Sequence, residues 1–185
     1  MRSFKVPTRE EVNENNQAIF DKLQKGLGFV PNLYAYFAKN ETALGDYLAL
    51  QNRKSTLKAK EREVINLITS QINDCHYCQS AHTVLGKMNG FTDDQVIEIR
   101  KGHASFDSKI DALVKFTAAI VSNKGIVDRE TRDAFFQAGY TEASMIDVVM
   151  VVGDKIISNY LFKLAGFEID FPLAEELEKI ITFKN

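Results

Sequence analysis

The chain has 185 residues, of which 45% are hydrophobic and 26% charged, as is typical of one soluble globular domain. Its formal net charge is −2, with acidic and basic residues interspersed, which argues against binding to nucleic acid or to an anionic membrane surface. The polar start MRSFKVPTREEV lacks the apolar stretch of a signal peptide, and no apolar run reaches the roughly 18 residues of a membrane span. We therefore expect a cytoplasmic protein with a single domain over residues 1–185.

Hydrophobic residues recur at helical spacing along most of the chain, and no segment favours a strand. The predicted helices, in chain order, cover residues 8–28, 31–40, 41–53, 58–72, 75–88, 93–101, 106–123, 129–138 and 141–164. A last helix is expected to start at Pro172 and to carry Leu173, Leu177 and Ile180. The sequence thus predicts an all-α fold, a single-domain helical bundle.

Several helix starts are predicted from cap residues. Thr8 and Glu11 have the spacing of a capping box at the start of the first helix. The pair 55–56 (Ser-Thr) is the expected cap of the fourth helix, and Asn73 or Asp74 that of the fifth. These caps place the start of the fifth helix immediately before the two cysteines.

Both cysteines of the chain, Cys75 and Cys78, lie in the segment 63–82. In the first turns of a helix, free N–H groups and the helix dipole favour a thiolate over a thiol. The spacing of three places both sulfurs on one helix face, close enough for a disulfide. In a chain without an export signal, such a pair indicates redox chemistry or metal binding more than a structural disulfide.

His82 follows Cys78 by four residues, on the same helix face. A neutral imidazole there can take the thiol proton, and the imidazolium can then hold the thiolate. Glu63 lies in an otherwise apolar face of the preceding helix, so its carboxylate could point inward and orient His82 as the third member of a relay. The other histidines, His76 and His103, are expected on the surface.

Two alternatives remain open for these residues. The cysteines could be small buried residues of the core. Cys75, Cys78 and His82 could instead be zinc ligands with Glu63 as a fourth, although no second CxxC or HxxxH motif completes a structural zinc site. No glycine-rich phosphate loop follows a strand, so no nucleotide cofactor is expected.

The order Glu63, then Cys-x-Tyr-Cys, then a histidine four residues after the second cysteine resembles the core motif of the AhpD-like alkylhydroperoxidases. These proteins belong to the carboxymuconolactone decarboxylase-like superfamily. The similar part covers roughly residues 58–90 and includes the gap from Glu63 to Cys75. The decarboxylase branch uses the scaffold without this CxxC motif, so lactone decarboxylation is not expected.

The resemblance implies an all-α, AhpD-like protein that assembles as a homo-oligomer, a trimer or hexamer. It also implies a peroxidase in which Cys78 attacks a hydroperoxide and Cys75 resolves it as a disulfide, with His82 as base and Glu63 as its partner. A dithiol donor, such as a lipoyl or thioredoxin-type protein, would reduce the disulfide. The best-studied members carry a second relay histidine where this chain has Tyr77, whose phenol is a poor base at neutral pH and is expected to support the site by packing or hydrogen bonding.

Two other functions use the same residues. The CxxC could serve a disulfide reductase whose substrate is another protein. It could also form a disulfide that changes an interface in a redox-responsive binding or assembly protein.

Overall fold

The computed structural model describes residues 4–177. Within this range the chain forms α-helices and one short 3-10 turn, Arg9–Glu11, and no strand, which confirms the predicted all-α fold. The helices are α1 Glu14–Leu27, α2 Asn32–Phe37, α3 Ala43–Gln51, α4 Ala59–Ile72, α5 His76–Met88, α6 Asp93–Arg100, α7 Ser108–Ser122, α8 Arg129–Gln137 and α9 Glu142–Ala165. Among these described helices, none is both long enough and apolar enough to cross a membrane.

The described chain forms two compact units. One contains residues 4–54 and 161–170, and the other contains residues 55–160 and 171–177. The whole segment 63–82 lies in the second unit. The single domain predicted for residues 1–185 stays a prediction.

The core of the second unit is centred on α4. Its side chains at Val64, Ile65, Leu67 and Ile68 are fully buried, and α4 packs against both α5 and α7. Buried residues of α7 and α9 join the same core. Because one face of α4 is fixed in this way, the polar residues on its flank, including Glu63, are held in place against α5.

In the first unit, α1 begins later than predicted. Thr8 and Glu11 do form the capping box, but it closes only the 3-10 turn. The helix itself starts at Glu14, because the Asn13 side chain accepts the backbone N–H of Asn16 at 2.9 Å. Asparagine is as good a cap as threonine, so two competing signals lay within five residues.

The predicted cap of α4 at 55–56 is wrong. Lys58 is the cap residue, and Glu61 accepts its backbone N–H at 2.8 Å. Thr56 instead donates its backbone N–H and its hydroxyl to Asp147 of α9, at 2.6 and 2.8 Å. The Asp147 carboxylate, distant in sequence, therefore binds Thr56, one of the two residues that the sequence predicted as the cap at the start of α4.

The last predicted helix is also wrong over residues 172–177, which are not helical. Here the backbone bonds to side chains of the core: Ala174 N–H donates to Ser80 Oγ at 3.1 Å, and Arg100 Nη2 donates to the Glu175 carbonyl at 2.8 Å. These contacts replace the intrahelical bonds that a helix would need. Ile180 lies outside the described residues.

Candidate dithiol site

The backbone turns sharply just before the CxxC motif. Asp74 has φ +54°, a left-handed conformation that aspartate tolerates better than most residues. Cys75 follows as the cap residue of α5, in extended conformation, and its N–H donates to the Ser70 carbonyl at the end of α4. The predicted cap at Asn73 or Asp74 is therefore one or two residues early, and Cys78 is the third residue of the helix.

Both cysteines are free thiols with almost no exposed surface, 0% for Cys75 and 1% for Cys78. The Cys75 thiol donates a hydrogen bond to the Cys78 sulfur, and this is the strongest influence that lowers the pKa of Cys78. Burial opposes it, while electrostatic interactions with Lys155 and His82 and a hydrogen bond from Asn159 lower the pKa further, to about 6. The same bond to Cys78, together with burial, raises the pKa of Cys75. These influences favour Cys78 as the thiolate of the pair and Cys75 as the thiol that donates to it.

Glu63 and His82 are in direct contact. His82 Nδ1 lies 2.7 Å from Glu63 Oε2, and the other carboxylate oxygen accepts the Asn66 amide N–H at 3.0 Å. Burial raises the pKa of Glu63, but its electrostatic interaction with His82 and the hydrogen bond from His82 oppose this effect and, with Lys155 and Asn66, hold that pKa below its usual value. Since a carboxylate only accepts hydrogen bonds, we assign the Nδ1 proton to His82.

Three residues of α9 near the thiols were not identified from the sequence: Lys155, Ser158 and Asn159. Lys155, on α9, is 2% exposed, and its Nζ lies 3.0 Å from Nε2 of His82. The next turn of α9 places Ser158 Oγ 4.0 Å from the Cys78 sulfur. The available signal was a lysine within the apolar stretch MIDVVMVVGDKII, since lysine is rarely buried unless paired.

Tyr77 and the other histidines have different surroundings. Tyr77 is buried and packs edge-on against Phe171, with ring centroids 5.7 Å apart. His76 is exposed, 3.7 Å from Asp74 Oδ1, and His103 is half-exposed beside Glu98. These positions leave His82 as the histidine that the structure brings to Glu63.

The geometry does not favour the zinc site that the sequence left open. Within residues 4–177, no three histidine, cysteine, aspartate or glutamate side chains converge in a way that could hold a metal ion. Nε2 of His82 faces the Lys155 amine and Nδ1 faces Glu63, so both ring nitrogens already have protein partners. A cation such as Zn²⁺ at Nε2 would have to displace Lys155.

The site therefore combines a buried pair of thiols with a Glu–His pair on a helical scaffold. Residues 37–120 match the model of the Carboxymuconolactone decarboxylase family. This match covers less than half of the chain. No curated protein sequence matches the chain.

Three solved structures show the same fold. An uncharacterized peroxidase-related protein from Silicibacter sp. TM1040 is 22% identical, with a TM-score of 0.80 and 90% of each chain covered. An uncharacterized peroxidase-related protein with an alkylhydroperoxidase AhpD core, from Ralstonia eutropha JMP134, is 20% identical, with a TM-score of 0.82 and 90% of this chain and 91% of that one covered. The debrominase Bmp8, in complex with 2,3,4-tribromopyrrole, is 16% identical, with a TM-score of 0.76 and 92% of each chain covered. At these identities the likeness establishes the fold.

Proposed function

We propose that the protein is a thiol-dependent peroxidase that reduces hydroperoxides with the Cys75–Cys78 dithiol. The observation that carries the proposal is the 2.7 Å contact between Glu63 and His82 on the helices that position Cys78. A carboxylate that orients an imidazole next to a nucleophile is a recurrent arrangement for activating that nucleophile. The lowered pKa of Cys78, about 6, supports a thiolate at neutral pH.

In the proposed reaction the Cys78 proton passes to the pair of His82 and Lys155, whose imidazole is held by Glu63. The thiolate attacks one oxygen of the hydroperoxide, the O–O bond breaks, and the leaving alkoxide takes that proton from the pair and departs as the alcohol. Cys78 is then a sulfenic acid, and the Cys75 thiol attacks its sulfur, forming the disulfide and releasing water. An external dithiol, such as a lipoyl or thioredoxin-type protein, returns the pair to two thiols and is itself oxidised.

The test follows peroxide consumption and sulfenic acid formation separately. With tert-butyl hydroperoxide and dithiothreitol, we expect the parent to consume peroxide and Cys78→Ser to fall to the rate of buffer. Without dithiothreitol, Cys75→Ser should react once per chain and accumulate a sulfenic acid that dimedone traps at Cys78, since no second thiol resolves it. Consumption by Cys78→Ser, or parental steady-state turnover by Cys75→Ser, would contradict the assignment.

The same set of assays distinguishes a protein disulfide reductase from a peroxidase. If the parent reduces insulin disulfides while peroxide consumption equals that of buffer, the dithiol serves protein disulfides. If both rates equal buffer and the oxidised chain changes its oligomer size, the redox-responsive assembly function is supported instead.

We also propose that the protein is a cytoplasmic homo-oligomer, a trimer or hexamer. Support comes from α9, which exposes large apolar side chains at helical spacing: Ile146, Val149, Ile157 and Tyr160. Such a row on one helix face is typical of an interface. Sedimentation at micromolar concentration should give a multimer that Val149→Asp weakens, and a monomer at that concentration would contradict it.

A further inference from the structure

Lys155 has a position that the relay of Glu63 and His82 does not explain. Its side chain comes from α9, a helix separated by more than 60 residues from the CxxC motif, and only 2% of the residue is exposed. A buried ammonium group is costly unless hydrogen bonds and opposite charge surround it. The neighbours of Lys155 therefore indicate what its burial provides.

The contact with His82 fixes the form of the imidazole. Nζ of Lys155 lies 3.0 Å from Nε2, and Nδ1 lies 2.7 Å from the Glu63 carboxylate. An ammonium group has donors only and a carboxylate has acceptors only. The arrangement Glu63···H–Nδ1, Nε2···H–Nζ satisfies all three groups, and it requires a neutral His82 protonated at Nδ1.

We propose that Lys155 is a positioning residue of the dithiol site, which locks His82 in its Nδ1-protonated form and supplies the positive charge that opposes the Cys78 thiolate. The next turn of the same helix brings Ser158 to within 4.0 Å of the Cys78 sulfur, so the inner face of α9 lies against the thiol. With Nε2 of His82 as the acceptor, the positive charge of this pair lies on Lys155.

The other charged and titratable groups around Cys78 fit this role. The first neighbour on α5 is Cys75, which stays a thiol and donates to Cys78. Glu63 of α4 is bound to the far side of the His82 ring, so its charge is directed at Nδ1. Asp154, also on α9, places its Oδ1 3.9 Å from the Lys155 ammonium. In the balance of these groups the charge of Lys155 lowers the pKa of Cys78.

The test is the pH dependence of Cys78 alkylation by iodoacetamide in a Cys75→Ser background. This test rests on the proposed function only because it takes Cys78 as the reactive thiol. It uses no peroxide. We expect Lys155→Met to raise the pH midpoint by about one unit or more, the size of effect that a nearby opposite charge produces. Lys155→Arg, which keeps the charge, should stay closer to the parental midpoint than to that of Lys155→Met.

The control removes an exposed lysine of a distant ion pair: Lys115→Met should leave the midpoint unchanged. A Lys155→Met midpoint equal to the parental one would overturn the proposal, as would equal shifts in the Met and Arg variants. If the parent fails to consume peroxide but Lys155→Met still raises the midpoint, the proposed function fails and the role of Lys155 stands.

A second measurement uses the parent chain and does not depend on how the variants fold. In ¹⁵N NMR of the reduced protein, with His82 assigned from His82→Gln, Nδ1 should carry the proton and Nε2 should be an unprotonated acceptor. A neutral ring protonated at Nε2 could not accept from the Lys155 ammonium, and that result would overturn the proposal.

Discussion

Two glutamates on the same helix, Glu61 and Glu63, are both largely buried and both hydrogen-bonded, yet their partners differ in kind. Glu61 accepts the backbone N–H of Lys58 at 2.8 Å and the hydroxyl of Tyr140 at 3.1 Å, with the Lys109 amine at 3.6 Å. Glu63 accepts an asparagine amide at 3.0 Å and the His82 imidazole at 2.7 Å.

The hydrogen-bond partner of each glutamate, more than the carboxylate itself, therefore decides whether that residue has a structural or a chemical role. A backbone amide does not give up its proton, and burial beside Glu61 raises the pKa of the Tyr140 phenol, so these two donors keep their protons at ordinary pH. Imidazole exchanges protons near neutral pH. Through His82, Glu63 is connected to the Cys78 thiol, whose pKa is lowered, whereas Glu61 caps the start of α4.

The largest effect on turnover should come from removing the imidazole of His82, the partner of Glu63. We expect His82→Gln to lower peroxide turnover by about 100-fold or more, the usual contribution of a general acid–base group. Tyr140→Phe, which removes the corresponding partner of Glu61, should keep parental turnover. Steady-state assays of both variants measure this, and equal losses would remove the distinction between the clusters.

A smaller loss is expected at Glu63 itself. Glu63→Gln removes the charge that holds the His82 ring, and turnover should fall about 10- to 100-fold, as for groups that orient a catalytic or metal-binding histidine. The matched variant Glu61→Gln should keep parental turnover, since Glu61 does not contact His82. Turnover that survives Glu63→Gln intact would show that the carboxylate is not needed.

The free energy of unfolding, in contrast to turnover, should depend strongly on Glu61. Glu61→Ala removes the helix cap and leaves the buried Tyr140 hydroxyl without its acceptor, so we expect a loss of about 2 kcal/mol in the free energy of unfolding. Urea unfolding of the variant and the parent measures the difference. A loss below about 0.5 kcal/mol would mean that the Glu61 cluster is not structural.

The smallest effect is expected at Tyr77. Tyr77→Phe keeps the ring that packs edge-on against Phe171, so the pH midpoint of Cys78 alkylation should stay within a few tenths of a unit. Tyr77→Ala, measured beside it, should lose stability because the ring is buried. An upward shift in Tyr77→Phe would instead assign the phenol a part in the relay.

Local signals predicted most of the helices, because apolar spacing along 59–72 or 142–165 reports a buried face directly. They also brought Glu63 and His82 together as a hypothesis, since the two residues lie on consecutive helices joined by a sharp turn. Lys155 could not be assigned to the site in this way. Its contact with His82 depends on how α9 packs, and no local sequence pattern reports that packing. The non-helical course of 172–177 has the same origin, since side chains of Ser80 and Arg100 bind its backbone.

Activation of Cys78 by His82 and its partners should appear in the pH dependence of Cys78 alkylation in the Cys75→Ser background. We expect a midpoint well below the ordinary thiol value of about 8.5, which moves upward in His82→Gln and stays in place in Glu61→Gln. A midpoint near 8.5 that does not respond to His82 would contradict the account.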